Sequence, residues 1–141
     1  MSETNVERHR RVIEAYNAQD VEAFIALCDP NVEVYSVFAA VDGGVYRGHD
    51  GLREYFNDVG DAWEGQIRLE PEGYFDLGEN TLAIYVLHGH GRQSGVEVTM
   101  PFAQVVRWSD GLGMYFKAYA DAEDAFRDLG ISVDALERIE P

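Results

Sequence analysis

The sequence predicts an α+β fold in which three amino-terminal helices pack on a strongly curved antiparallel sheet, with a short helix near the carboxyl end. Three observations predict it. The apolar periodicity changes once, from helical spacing to strand-like alternation near the middle of the chain. Three turn signals, Gly78-Glu79-Asn80, Ser94-Gly95 and Asp110-Gly111, divide the second half into hairpin-joined strands. Two of those strands, residues 81–93 and 96–109, exceed the usual span of about 3 to 10 residues. A sheet of such strands has to curl, and closing it over the helices makes a cone with an apolar interior, a natural small-molecule pocket.

The elements follow in order. Thr4-Asn5-Val6-Glu7 has capping-box spacing, and Val6, Ile13 and Tyr16, with His9 and Val12 alongside, mark one face of a helix running to about Ala18. Asp20 caps a second helix, Val21 to Cys28, which turns Phe24, Leu27 and Cys28 inward. It stops at Asp29-Pro30 because the residue before a proline is pushed out of the α region. Val32 to Ala39 reads as a strand and Asp42-Gly43-Gly44 as a turn. A third helix begins near His49-Asp50, carries Leu52, Tyr55, Phe56, Val59 and Trp63 at helical spacing, and ends by Gly65. Strands follow at residues 66–75, 81–93, 96–109 and 112–120, with Gly89, Gly91 and Pro101 as the expected places of bulges or bends. Ala122 to Leu129 is a helix closed by Gly130, followed by an acidic turn capped by Ser132.

Composition bounds the class. The 141 residues suit one domain, 1–141, and 46% apolar and 12% aromatic content supports an unaided core. No apolar run approaches the roughly 18 residues of a membrane span. With 11 Lys+Arg against 26 Asp+Glu, the net charge of -15 repels phosphate backbones and anionic lipid, so neither nucleic acid nor membrane is an expected partner. Cys28 is the only cysteine, which excludes a disulfide framework, and the charged amino end is no secretory leader; a reducing cytoplasm is expected.

The segments Tyr16-Asn17 before Asp20, Asp29-Pro30-Asn31-Val32, Tyr46-Arg47-Gly48-His49-Asp50-Gly51-Leu52, Ser94-Gly95-Val96 and Tyr119-Ala120-Asp121 carry a resemblance in their order and spacing. Over nearly its whole length the chain resembles the nuclear transport factor 2-like superfamily, a cystatin-like roll, and within it the SnoaL-like and ketosteroid-isomerase-like proteins. The resemblance implies a small-molecule pocket on a scaffold that hosts isomerases, cyclases, dehydratases and non-enzymes. Where a steroid isomerase places its oxyanion tyrosine, its proton-shuttling aspartate and its second oxyanion acid, this chain has Val12, Tyr35 and Gln104. Tyrosine, with a free pKa of about 10, is not a base for moving a proton beside a ketone. Tyr35 and Gln104 are therefore expected to hold a carbonyl by hydrogen bonds, and steroid isomerisation is not expected.

In SnoaL-like cyclases the aspartate that ends the last strand is acid and base of an aldol ring closure, and Asp121 stands at that position here. Asp121 also opens a helical stretch, so the alternative is an N-cap, which would lower its pKa and weaken it as a base. His88 and His90 point to one side of a strand, beyond the apolar Leu82, Ile84 and Val86. A metal would need a third ligand, and none is expected. His88 could instead carry a proton at the pocket mouth, and similarity to scytalone-dehydratase-like proteins, which pair histidine with aspartate, keeps a dehydratase reading open.

The expected ligand-binding residues are Val12, Tyr16, Phe38, Trp63, Phe102, Phe116 and Tyr119, and the candidate catalytic set is Asp121, His88, Tyr35 and Gln104. Such a wall suits a flat polycyclic or phenolic carbonyl compound better than a sugar or nucleotide. With no Gly-rich phosphate loop, no cofactor is expected. The readings are a cofactor-independent cyclase or isomerase, a non-catalytic module binding a small hydrophobic molecule, or a dehydratase. Val96, Val98, Val105 and Val106 cannot all face one interior, which leads to a homodimer through the outer face of the sheet.

Overall fold

The computed structural model describes residues 4–35, 45–62, 67–91, 95–132 and 137–141. Helix α1 (Asn5–Asn17) starts where the Thr4 hydroxyl accepts from the Glu7 N–H at 3.1 Å. Helix α2 (Val21–Ala26) starts where Asp20 accepts from the Ala23 N–H at 3.0 Å. It ends before Cys28, earlier than the proline alone requires, because Cys28 already belongs to β1 (Cys28–Tyr35) and the Leu27 carbonyl accepts from Gly113 N–H at 2.9 Å. Sheet pairing takes over the last turn of the helix. After β2 (Tyr46–Arg47), α3 (Gly48–Ala62) packs across β1, and strands β3 (Arg68–Leu77), β4 (Asn80–His90), β5 (Glu97–Ser109) and β6 (Leu112–Tyr119) lead to α4 (Ala122–Leu129). Gly130 closes α4 in the left-handed conformation, φ 69°, as a C-terminal cap requires. The turn at Asp42-Gly43-Gly44, the Ser94 half of the second hairpin and the turn after Ser132 lie outside the described residues.

The strands form one six-stranded sheet in the order β2-β1-β6-β5-β4-β3. Every pairing is antiparallel except that of β1 with β6, which run parallel with Val34 beside Phe116. The β4–β5 ladder runs unbroken from Asn80↔Arg107 to His90↔Glu97, so Gly89 and Pro101 do not mark bulges. Pro101 lies beyond the β6 pairing, which begins at Ala103, where its missing N–H removes no bond to β6. The bulges are at Glu72 in β3, between Pro71↔Tyr85 and Gly73↔Ile84, and at Met114 in β6, between Gly113↔Trp108 and Tyr115↔Arg107. Each bulge reverses the parity of the strand beyond it. Leu69 and Tyr74 thereby share the concave face, as do Gly113 and Phe116.

The concave face packs on α1, α2 and α3, burying Val12, Ile13, Phe24, Leu52, Tyr74 and Phe116 in the main core. Gly113 has no room for a side chain there, since a Cβ would stand 2.7 Å from the Phe116 ring. The convex face is covered in part by α4, whose Ala125 and Phe126 pack on Phe75, Leu82, Ala103 and Val105. This corrects the ground for a dimer. Val105 is buried under α4 and Val106 in the main core, and Val96 and Met100 are the exposed large apolar side chains among the described residues. At the free edge of β3, Tyr74 exchanges backbone hydrogen bonds with Ile139 at 2.8 and 2.7 Å, which protects that edge from further strand pairing. Among the described residues no helix is long and apolar enough to cross a membrane.

Candidate functional site

A cavity opens between the concave face of the sheet and helices α1, α2 and α3. Counting its mouth it measures about 620 Å³, but the interior left open to the centres of water molecules is only about 40 Å³. That is room for a few waters, so a larger guest has to displace side chains. The walls are apolar, with Val12, Phe24, Leu69, Leu87, Phe102 and Phe116 among them, and the polar atoms are few.

Those polar atoms are the hydroxyls of Tyr16, Tyr55 and Tyr85 and the amide of Gln104. Tyr16, from α1, and Tyr55, from α3, are hydrogen-bonded to each other, and Tyr85 comes up from β4. Burial raises all three hydroxyl pKa values. For Tyr16 the result is about 12, burial being opposed by the Tyr55 hydrogen bond. All three are therefore neutral hydroxyls near neutral pH, one proton of the Tyr16–Tyr55 pair being spent on the bond between them. The Tyr16 ring also packs on Tyr55 and Phe56, with centroids 6.5 and 5.6 Å away, which holds the hydroxyl in place.

The expected residues divide into three groups. Val12, Tyr16, Phe102, Gln104 and Phe116 line the cavity together. Tyr35 borders it, but its ring lies against Tyr115 at 5.2 Å and its hydroxyl donates to Glu33 Oε2 at 2.9 Å. It follows Val34 on the strand, and alternation sends its side chain to the other face. Phe38 and Trp63 lie outside the described residues.

Three residues expected at the pocket lie away from it. His88 shares the parity of Leu82, which packs under α4, so it stands on the convex face and not in the cone. There Nε2 is 3.6 Å from Glu70 Oε2, in a separate cleft with His90, Arg68 and Thr99. Tyr119 is on the convex face as well, its hydroxyl donating to Asp128 and the Lys117 Nζ 5.1 Å from its ring centroid. Asp121 is exposed and is the N-cap of α4, its Oδ1 accepting from the Asp124 N–H at 2.8 Å. Capping explains the position: the backbone is extended at Asp121 and helical from the next residue. Among the described residues no three His, Cys, Asp or Glu side chains cluster so as to hold a metal ion.

Sequence reasoning missed Tyr55 and Tyr85 as site residues, and it missed a buried polar chain behind Gln104. His9, fully buried, places Nδ1 2.7 Å from Thr81 Oγ1 and Nε2 2.9 Å from Gln104 Oε1. The Trp108 indole N–H donates to the same Thr81 oxygen at 2.8 Å. Desolvation lowers the His9 pKa to about 4, although the Gln104 hydrogen bond opposes it, so the ring is neutral near neutral pH. The available signal was a histidine on the apolar face of α1, since a buried imidazole needs partners.

The SnoaL-like domain family matches residues 9–113. No curated protein sequence matches the chain. Among solved structures, an NTF2-like protein of unknown function from Burkholderia pseudomallei is similar at 22% identity and TM-score 0.76, over 89% of this chain and 97% of that one. TerC, co-crystallised with polyporic acid, is similar at 22% identity and TM-score 0.73, over 89% and 96%. A candidate polyketide cyclase from Xanthomonas campestris is similar at 17% identity and TM-score 0.71, over 86% and 93%. At these identities the likeness carries the fold and leaves the chemistry to the residues of the site.

Proposed function

This chain belongs to the SnoaL-like domain family, and on that footing we propose that its cavity binds a small, hydrophobic, carbonyl- or phenol-bearing aromatic compound. The observation that carries the reading is the pairing of an apolar wall with hydrogen-bond donors that stay protonated, Tyr16, Tyr55 and Tyr85 beside the Gln104 amide. Such donors favour an oxygen acceptor. The co-crystallisation of TerC with polyporic acid is consistent with an aromatic guest in this fold.

The same donors would stabilise negative charge growing on a carbonyl oxygen, the electrophilic half of a cyclase or isomerase mechanism. The other half needs a base within reach of a C–H bond. Among the described lining residues the ionisable groups are tyrosines alone, so we read the protein as a ligand-binding module ahead of a cofactor-independent cyclase or isomerase. A dehydratase built on His88 has less support, because that imidazole lies on the other face of the sheet. For assembly we propose a homodimer through the part of the convex face that α4 leaves open, where Tyr35, Tyr115 and Tyr119 stand half-buried with Arg107 beside them, the residue types favoured at interfaces. Sedimentation showing only a 15.8 kDa species at micromolar concentration would contradict the dimer.

Thermal shift against polyketide-like, steroid-like and terpenoid carbonyl compounds, with sugars and nucleotides as controls, tests the binding reading. A ligand at about 100 times its dissociation constant adds roughly 2.7 kcal/mol, a shift on the order of 10 °C for a domain of this size. Shifts confined to sugars or nucleotides would overturn it.

A further inference from the structure

Thr81 is fully buried, and its hydroxyl has two partners among the described residues, the Trp108 indole and the His9 ring. Indole N–H can only donate, so it occupies an acceptor position of Thr81 Oγ1. The threonine proton then has one place to go, the unprotonated Nδ1 of His9 at 2.7 Å. If Nδ1 carried the hydrogen instead, Thr81 would accept twice and its own O–H would be a buried donor without a partner, at a cost of about 1–3 kcal/mol. The tautomer follows from this count: Nδ1 accepts and Nε2 carries the hydrogen.

The next bond is then fixed too. His9 Nε2–H donates to Gln104 at 2.9 Å, and the atom it meets has to be the carbonyl oxygen, Oε1. This determines which way round the amide stands. Its NH2 group has no partner among the described residues, and the side chain lines the cavity, half-buried. Donation therefore runs in one direction, from Trp108 to Thr81 to His9 to Gln104.

We infer that His9 is a positioning residue that holds the Gln104 amide with its NH2 donor presented to the cavity, making the site selective for ligands with a carbonyl or phenolate oxygen at that point. The inference rests on the reading of the cavity as a ligand site and deepens it by naming the recognised group. His9 touches no ligand itself. A glutamine left to rotate would offer oxygen or nitrogen equally well, and the relay removes that choice. Because each member polarises the next, the terminal N–H is also a stronger donor than an isolated amide.

Two measurements test this. Long-range proton–nitrogen correlation spectra of the free, 15N-labelled protein near pH 7 should show the Nε2–H tautomer at His9; the Nδ1–H tautomer would overturn the inference without any ligand. Binding of benzophenone should then be compared with that of 1,1-diphenylethylene, the same shape with C=CH2 in place of C=O. Wild-type protein should prefer the ketone about 10-fold, the range of one well-placed hydrogen bond. Gln104→Leu and His9→Leu should each bring the preference close to 1. His9→Gln, which can still accept from Thr81 and donate to Gln104, should restore most of it, and a merely structural role for His9 would not predict that recovery. Thr81→Val, near in volume, should weaken the preference even if His9→Leu fails to fold. Equal affinity of wild type for the two probes overturns the inference and leaves the cavity reading intact; binding of neither overturns both.

Discussion

Asn17 holds the backbone of Leu69 from both sides: its Nδ2 donates to the Leu69 carbonyl at 2.8 Å and its Oδ1 accepts from the Leu69 N–H at 2.7 Å. The pair ties the last turn of α1 to the start of β3. Tyr16 precedes Asn17 in the chain, and Leu69 and Tyr16 both line the cavity.

Asn17→Ala breaks both bonds and leaves the Leu69 peptide groups to find water. We expect a loss of about 2 kcal/mol, near 1 kcal/mol for each bond, read as a lower urea midpoint at unchanged slope. A loss below a few tenths of a kcal/mol would mean that the clamp adds nothing to folding.

The buried imidazole gives a pH dependence with a definite sign. The folded pKa of His9 lies at about 4, below the ordinary value of 6.5. Between those values the unfolded chain binds a proton that the folded one does not, so stability from this group is fully present above pH 6.5 and is lost as pH falls toward 4. The gap corresponds to roughly 3 kcal/mol. Urea denaturation of wild type and His9→Gln at pH 7 and pH 4.5 should show a larger drop for wild type. An equal drop in the two would contradict a desolvated His9.

Asp121 should behave as a cap. Asp121→Ala removes the acceptor for the Asp124 N–H and should cost about 1 kcal/mol, whereas Asp121→Asn and Asp121→Ser, both good N-caps, should stay within a few tenths. Affinity for an aromatic ketone should be the same in all three. A wild-type-like stability in Asp121→Ala together with lost affinity would return Asp121 to the site.

Tyr16, Tyr55 and Tyr85 should resist ionisation. Absorbance at the tyrosinate band should show them silent up to pH 11 while exposed phenols titrate, because burial disfavours the anion. Full titration of every tyrosine by pH 11 in protein that is still folded would contradict the buried donor cluster.

Much of this architecture was legible because local chemistry set it. Thr4, Asp20 and Asp121 are caps with their acceptors in place, Gly130 ends α4, and Asp110-Gly111 turns the chain between β5 and β6, Asp110 and Gly111 both at positive φ. The misplacements came from non-local causes. The bulges at Glu72 and Met114 reverse side-chain parity within strands that alternate without a break in sequence. Pairing of β1 with β6 joins segments far apart in the chain. Val105 and Val106 do face opposite ways, as alternation requires, but α4 covers the outward one. His88 could be put on a face only once Leu82 was known to lie beneath α4. In the site, Val12 and Tyr16 followed from the helical periodicity of α1, and Phe102 and Phe116 from being aromatic in a cone whose core and wall share residues, whereas the partnership of His9 with Thr81 and Gln104 spans 72 and 95 residues and leaves no local trace.

The most direct test of the central claim, that this cavity binds a hydrophobic aromatic carbonyl compound, is isothermal titration of benzophenone into wild type and Ala118→Phe. Ala118 lines the cavity and is only half-buried, so a ring placed there takes the room that a guest would have to open, and circular dichroism and the urea midpoint verify that the variant is folded. We predict saturable one-site binding to wild type and at least 10-fold weaker binding to the folded variant. Equal affinities for the two proteins, or no binding to wild type up to the solubility limit of the ketone, would contradict the account.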